Sequence, residues 1–218
     1  MRPEPGDARV TGGAAERPHS PTGYTLVLPP GWEQIPVRVG TDSAITAILD
    51  RKFRALPEKL PRDKLVPYRV EVEGRLRKAA GEARKKGAID LYLPVEFRNG
   101  LPVPASFVVA EGRLGTGDSI DPAQIVSRLV SEAADGTVMN LDGVASARTE
   151  LTGAPDPAQG IEYGSRRVDY AVPVPDDPDR WLLFGFSTVG AGDPDDQVAK
   201  MLVQLFDAIM TTFRWTGN

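Results

Sequence analysis

The sequence contains no cysteine and a single histidine, His19, among its 218 residues. The missing thiols exclude disulfide frameworks, thiolate zinc sites and cysteine nucleophiles. His19 lies in a stretch rich in Gly, Pro and Ala, without packed neighbours to hold its tautomer, so we interpret it as incidental. Catalytic triads of the usual types are therefore not expected, and we predict no catalytic residue.

Long apolar runs are also missing from the sequence. No window reaches 18 consecutive apolar residues, and residues 1–22 lack the apolar core of a signal peptide. We therefore expect a cytoplasmic protein without a transmembrane helix. Residues 1–22 have almost no large apolar side chains, so burial cannot offset the entropy of ordering them. The sequence predicts a disordered tail over 1–22 and a single folded domain over 23–216.

Charge is distributed unevenly along the chain. The net charge is −4 and the isoelectric point is about 5.2, which argues against a nucleic-acid partner. Between Arg51 and Lys86, however, thirteen Lys and Arg residues and only five Asp and Glu residues occur, a net charge of +8. The rest of the chain therefore carries −12. This basic segment is the most distinctive feature of the sequence.

The spacing of apolar residues predicts four helices. Two are expected over 43–55 and about 66–86, the second with a narrow, alanine-rich apolar face and Lys and Arg on its other sides. Two later helices are predicted to begin at Asp121–Pro122 and Asp193–Pro194, because Asp caps the first free amides and Pro fits the first turn. The last helix has a wide apolar stripe over 198–213, which must lie on a sheet or core.

The other apolar runs have strand character and are separated by short polar turns, which favours an antiparallel meander. In the LPPGW corner, Pro29 and Pro30 end a strand and Trp32 turns inward after a bent, hairpin-like entry. We expect an α+β fold: a mainly antiparallel sheet flanked by helices, with the C-terminal amphipathic helix packed across the sheet. The predicted strands are Tyr24–Leu28, Glu33–Val39, Ile89–Phe97, Ser106–Val109, Thr137–Leu141, Val144–Leu151, Ile161–Val174 and Trp181–Thr188.

Five motifs occur in a characteristic order: LPPGW at 28–32, DPAQI at 121–125, RRVDYAVPV at 166–174, WLLFGFST at 181–188 and LVQLFDAIMTTFRW at 202–215. This order resembles the PsbP-like family and, within it, the actinobacterial LpqN-like proteins most closely. The resemblance implies an antiparallel sheet flanked by helices. It also implies a non-enzymatic module that binds a protein partner, with a basic helical insertion at about 51–87.

Three further features have structural explanations. The acidic clusters at 176–179 and 193–196 match no EF-hand loop, so we interpret them as a strand connection and a helix cap. The glycine-rich segment Gly112–Asp118 lacks the spacing of a phosphate-binding loop. Trp32 and Trp181 are expected in the core, as aromatic residues at strand ends usually are. We therefore predict neither a metal site nor a cofactor.

The basic segment is the feature from which we predict function. A cationic helix face attracts an acidic partner, and we name Arg77, Arg84 and Lys85 as partner-binding residues. A solvated face without a partner would have the same composition. Because the apolar face of this helix is largely alanine, stable membrane insertion is the weaker interpretation.

We therefore predict a non-enzymatic protein-binding or adaptor module. An accessory chaperone or immunity-type inhibitor of a specialised secretion or toxin locus is the alternative. A carboxylate-based hydrolase is less favoured, since it requires two acidic side chains that converge in a cleft.

Overall fold

The computed structural model describes residues 20–55, 62–95, 97–98, 101–113, 121–155, 158, 163–190 and 192–217. Residues 1–19 of the predicted tail, His19, and residues 114–118 of the glycine-rich segment lie outside the described residues. Within these ranges the chain forms four helices: α1 (Thr41–Arg54), α2 (Arg62–Lys85), α3 (Pro122–Glu132) and α4 (Gln197–Thr211). It also forms eleven strands: β1 (Gly23–Thr25), β2 (Trp32–Pro36), β3 (Ala88–Pro94), β4 (Phe97–Arg98), β5 (Leu101–Pro102), β6 (Ala105–Arg113), β7 (Asp135–Leu141), β8 (Val144–Gly153), β9 (Ser165–Val174), β10 (Asp177–Thr188) and β11 (Arg214–Thr216).

Seven strands form one antiparallel sheet in the order β2-β3-β6-β10-β9-β8-β7. The strands β7 to β10 are neighbours in chain order, which confirms the predicted meander. The predicted hairpin-like entry is wrong: β1 pairs with β11, whereas β2 pairs with β3. Pro29 and Pro30 lack the amide hydrogens of a ladder, so the chain passes between two sheets instead of folding back on itself.

One face of the sheet is covered by α4, as the wide apolar stripe predicted. Phe206 is buried at its centre, with its ring centroid 5.2 Å from Phe107, 5.6 Å from Tyr170 and 4.8 Å from Phe186. Trp32 closes the margin of this core from the edge strand β2, with its ring centroid 5.8 Å from Phe107. These contacts confirm the α+β fold with a C-terminal helix packed across the sheet.

The opposite face of the sheet is covered in two separate parts. The helices α1 and α2 pack over β2 and β3, and α3 packs over β7 and β8. Trp181 is buried beneath α3, as predicted for the core. Gly136 permits the close approach of α3, because a Cβ atom there would lie 2.3 Å from the Val130 carbonyl oxygen. The central strands β6 and β10 are left open between the two parts.

The two Asp-Pro pairs behave differently at the helix starts. Asp121 caps α3 as predicted, since its carboxylate accepts from the Ala123 amide at 2.9 Å. The prediction for α4 is wrong: the cap is Asp196, which accepts from the Ala199 amide at 2.6 Å. Asp193 instead accepts from the Asp195 amide and closes a turn before the helix.

Candidate protein-binding surface

The helix α2 is attached to the domain by one leucine and a row of small apolar side chains. Leu76, Ala80 and Ala83 are buried in a cluster shared with α1, β2 and β3. Small side chains bring the helix backbone close to the sheet, so the long Lys and Arg side chains stand clear of it. The basic side chains are therefore displayed from a fixed helix.

The first part of α2 neutralises most of its own charge. Arg69 pairs with Asp50 at 2.6 Å and Arg75 with Glu71 at 2.5 Å. Arg77 contacts two further carboxylates, one on α1 and one on α2: 3.0 Å to Asp42 and 2.8 Å to Glu73. These pairs are exposed or only partly buried, so each contributes little to stability, but together they leave little free positive charge between Arg69 and Arg77.

The last turns of α2 carry charge without such compensation. Lys78, Arg84, Lys85 and Lys86 are all exposed. Among the residues that the structure describes, no carboxylate lies within ion-pair distance of these four cations. Arg84 donates instead to the Arg38 carbonyl oxygen at 3.2 Å. The last two turns of α2 from Lys78, together with Lys86 directly after the helix, therefore form a cationic surface, and we call it the basic end of α2.

The three predicted partner-binding residues do not share one side of the helix. Arg77 and Arg84, seven residues apart, line a cleft of about 190 Å³ between α1 and α2. Lys85 is exposed but does not line this cleft. Lys86, which the sequence analysis did not name as a site residue, lines a different concavity on the other side of α2. The basic end of α2 thus borders two concave regions.

The second concavity is a trough of about 600 Å³ over the open strands of the sheet. Its surface combines small apolar groups, serine hydroxyls and charged groups, so it offers both apolar contact and hydrogen bonds. The helix α2 contributes Ala79 and Ala83, the turn after it contributes Lys86, and the sheet contributes Val108, Gly185 and Ser187. Ala79, Ala83 and Lys86 are spaced i, i+4, i+7, so they follow one side of the helix. This spacing is the one sequence signal that could have placed Lys86 beside the trough.

A third cavity, of about 330 Å³, is lined by two carboxylates, Asp90 and Glu111. Asp90 accepts hydrogen bonds from the Tyr24 hydroxyl at 2.7 Å and from Gln34 at 3.0 Å. Glu111 also lines this cavity and is engaged by two arginine side chains. Burial, together with the neighbouring Asp90, raises the pKa of the Tyr24 phenol, which therefore stays protonated and donates. The carboxylate-based hydrolase, for which no residues were predicted, stays a prediction.

A polar network fixes α4 to the sheet beside the aromatic core. Arg148 donates to both oxygens of Asp207 at 2.9 Å and to Glu150 at 2.8 Å, and the Tyr170 hydroxyl donates to Asp207 at 2.8 Å. Burial alone lowers the pKa of the Arg148 guanidinium, but its hydrogen bonds to Asp207 and Glu150 outweigh this effect and raise it. Arg148 therefore stays charged, and we assign the network a structural role.

The two acidic clusters lie at opposite ends of β10. Asp176 and Asp177 lie at the turn where β10 begins, whereas Asp193 to Asp196 follow its end and precede α4. No group of three or more His, Asp or Glu residues in the described part of the chain is arranged to hold a metal ion. The clusters therefore occupy the strand connection and the helix start at which the sequence analysis placed them.

Comparison with known proteins gives limited information. No protein-family model matches the chain. No curated protein matches it either. Among solved structures, the chain is similar to the crystal structure of LpqN from Mycobacterium tuberculosis, which is described as involved in cell envelope biogenesis. The two sequences are 14% identical and the TM-score is 0.49. The alignment covers 93% of this chain and 87% of that chain. At this identity and TM-score the likeness adds nothing to a functional argument, and the wider PsbP-like resemblance stays a prediction.

None of the described helices is long and apolar enough to cross a membrane.

Proposed function

We propose that this chain is a non-catalytic protein-binding module whose partner presents an acidic surface to the basic end of α2. The observation that carries the proposal is the group of exposed cations Lys78, Arg84, Lys85 and Lys86. None of them forms an ion pair with a described residue, and Glu82 is the one carboxylate that lies among them. Uncompensated charge on a fixed helix attracts an oppositely charged surface and orients it during encounter. The paired arginines earlier in α2 contribute less to this attraction.

The surroundings of the basic end of α2 support a protein partner over lipid or nucleic acid. The apolar side chains at or next to the basic end of α2, Leu76, Ala80 and Ala83, are buried against α1, β2 and β3, so they are not available to enter a bilayer. A net charge of −12 outside the segment 51–86 repels an extended polyanion. A folded protein with a local acidic patch can contact the basic end of α2 while avoiding the rest of the surface.

The trough beside α2 supplies contact area that charge alone lacks. Lys86 lies on its wall and Val108 and Ser187 on its floor, so an acidic residue of the partner can pair at the rim while apolar groups enter the trough. An interface of this kind combines an apolar centre with a charged rim. Because the rim cations are exposed, we expect binding to weaken as ionic strength rises.

Charge reversal on α2 tests the proposal. The triple variant Arg77→Glu/Arg84→Glu/Lys85→Glu covers the predicted residues, and the double variant Arg84→Glu/Lys85→Glu spares the ion pairs of Arg77 with Asp42 and Glu73. Partners captured from the native host by the wild-type protein are identified by mass spectrometry, and one is purified for titration. We expect the double variant to bind it at least about tenfold more weakly, with an unchanged melting temperature.

The control is Lys200→Glu on the exposed side of α4, which changes the net charge by −2, and its charge-matched counterpart on α2 is the single variant Lys85→Glu. Lys200→Glu should bind the partner as the wild-type protein does, because α4 covers the opposite face of the sheet. Equal binding by the wild-type protein and the double variant would reject the basic end of α2 as the contact surface. Equal losses in Lys85→Glu and the control would show a non-specific dependence on net charge instead.

A further inference from the structure

The outer edge of β7 is an unprotected strand edge. This strand ends the seven-stranded sheet, and none of the residues with described positions pairs with its outer side. All seven of its residues, Asp135 to Leu141, pair with β8 without a register shift, and they include no Pro, Lys or Arg. A straight strand edge without such residues is a template for pairing with another strand.

The other edge of the same sheet is protected. The strand β2 has five residues and ends at Pro36, which has no amide hydrogen to offer. Glu33 on β2 is held by Arg51 and Lys52, which place charged side chains beside the strand. Proline and charge are the usual devices against edge pairing. The contrast between the two edges marks β7 as the one available for association.

The hairpin geometry shows which backbone groups of β7 face outward. The turn residues Asp142 and Gly143 both have positive φ, 49° and 84°, and Leu141 pairs with Val144 across the turn. In such a two-residue hairpin the flanking pair is hydrogen-bonded, and every second residue before it also bonds to β8. The amide and carbonyl groups of Gly136, Val138 and Asn140 therefore point away from β8.

We propose that the protein forms a homodimer in which β7 pairs antiparallel with β7 of a second copy, about a two-fold axis at Val138. Val138 then faces Val138 of the second copy, and Gly136 faces Asn140. Each of these facing pairs exchanges both backbone hydrogen bonds, so all the outward groups of the three residues find partners. The resulting sheet continues across both copies.

The side chains of β7 favour a second copy as the occupant. Asp135 is the only charged residue of the strand, and in this register it faces Leu141 of the second copy, so like charges do not meet. Val138 is 52% exposed and becomes buried against itself. The register thus avoids contact between like charges and joins two exposed valines, so the strand edge can pair with its own copy about a two-fold axis.

The position of α3 is compatible with this pairing. Because α3 lies over β7 and β8, the spacing of strands places α3 and its copy about 10 Å apart, a distance at which helices pack. Val130 of α3 lies over Gly136 of β7. Ala123 and Ser127, seven and three residues earlier, lie on the same side of the helix, and both are small and exposed. The two helices can therefore meet without large side chains between them.

A cysteine at the proposed axis gives the sharpest test, because the chain has no cysteine of its own. Facing residues of a hydrogen-bonded pair have Cα atoms about 5.5 Å apart, within the range of a disulfide. We expect Val138→Cys to form a disulfide-linked dimer under mild oxidation, seen on a non-reducing gel. The control Val39→Cys, at a valine that is 83% exposed, should stay monomeric. A Val138→Cys protein that does not cross-link overturns the proposal.

Sedimentation equilibrium provides the second test. The wild-type protein should show twice the chain mass of 23.5 kDa, with dissociation on dilution. Val138→Lys should sediment as a monomer with an unchanged far-ultraviolet circular dichroism spectrum, because the side chain is exposed and the added charges repel across the axis. A wild-type monomer at every concentration, or a dimer that persists in Val138→Lys, contradicts the proposed interface.

Discussion

The two faces of the central sheet are covered in different ways. On one face, α4 lies over the whole centre, and Phe206 packs among the rings of Phe107, Tyr170 and Phe186. On the other face, α1 with α2 covers one margin and α3 the other, and the trough is open between them. Adjacent residues of one strand therefore have opposite environments: Phe184 is 1% exposed and Leu183 is 42% exposed.

This difference separates the part of the molecule that holds the fold from the part that we propose for binding. The closed face buries large aromatic side chains, which contribute most of the hydrophobic stabilisation. The open face is flanked by α2, whose contacts with the domain are made by small side chains such as Ala80 and Ala83. Substitutions on the two faces should therefore differ sharply in their effect on the free energy of unfolding.

The largest effect is expected for Phe206→Ala on the closed face. It removes a fully buried ring that contacts three other aromatic side chains, and the rigid sheet beneath cannot fill the space. We expect a loss of about 3–5 kcal/mol in the free energy of unfolding, measured by urea denaturation. Met201→Ala, at a residue of the same helix that is 50% exposed, serves as the control. A similar small loss in both variants would show that α4 does not cover the core.

The next largest effect is expected for Asp207→Asn, in the network that joins α4 to the sheet. Arg148, whose side chain is 11% exposed, would lose its charge partner on α4 while remaining buried. We expect a destabilisation of about 2 kcal/mol by urea denaturation. The exposed pair of Arg128 with Glu132 provides the comparison, since Glu132→Gln should cost no more than about 0.5 kcal/mol. Equal effects of the two substitutions would show that the network is not desolvated.

Alkaline pH should lower the free energy of unfolding through the buried tyrosines of the closed face. Burial raises the pKa values of the phenols of Tyr24, Tyr92 and Tyr170 above their usual value. Above about pH 10 the unfolded chain releases these protons and the folded protein retains them, so stability falls as pH rises, by up to about 1.4 kcal/mol per pH unit for each group. Below pH 10 this contribution is fully present. The free energy of unfolding, measured with urea between pH 8 and 11.5, should fall less steeply with pH in Tyr170→Phe than in the wild-type protein. An identical dependence on pH in the two proteins would contradict this assignment.

The smallest effect is expected for Leu183→Ala on the open face. Leu183 is already partly exposed to water, so truncation should cost at most about 1 kcal/mol. Phe184→Ala, at the next position of β10, should cost several times more, because its ring is buried against Tyr24 and Phe213. The ratio of the two losses in the free energy of unfolding measures how differently the two faces are packed. A ratio near one would contradict the distinction between a closed and an open face.

Much of the architecture could be predicted from local patterns. The stripe over 198–213 predicted the helix on the closed face because its apolar positions repeat every three to four residues. The start of α3 at Asp121 followed from the Asp-Pro pair. The start of α4 did not, because three aspartates lie within four residues and only packing decides that Asp196, not Asp193, caps the helix.

The rest depended on contacts that leave no local signal. The pairing of β1 with β11 joins residues about as far apart as the domain allows, such as Tyr24 and Trp215. The alanine-rich face of α2 was predicted and is buried as expected. No local pattern showed that the strands beside it are open, however, so Lys86 was not named beside the trough. The trough itself arises because no described helix covers β6 and β10, and a missing neighbour has no sequence pattern.

Hydrogen exchange with and without the purified partner tests the division between the two faces most directly. We predict that the partner slows exchange in residues 76–86, and in the trough strands β6 and β10, while the amides of α4 exchange as slowly as before. Protection that appears on α4 and leaves α2 unchanged would contradict the account, because the face that holds the fold would then also be the face that binds.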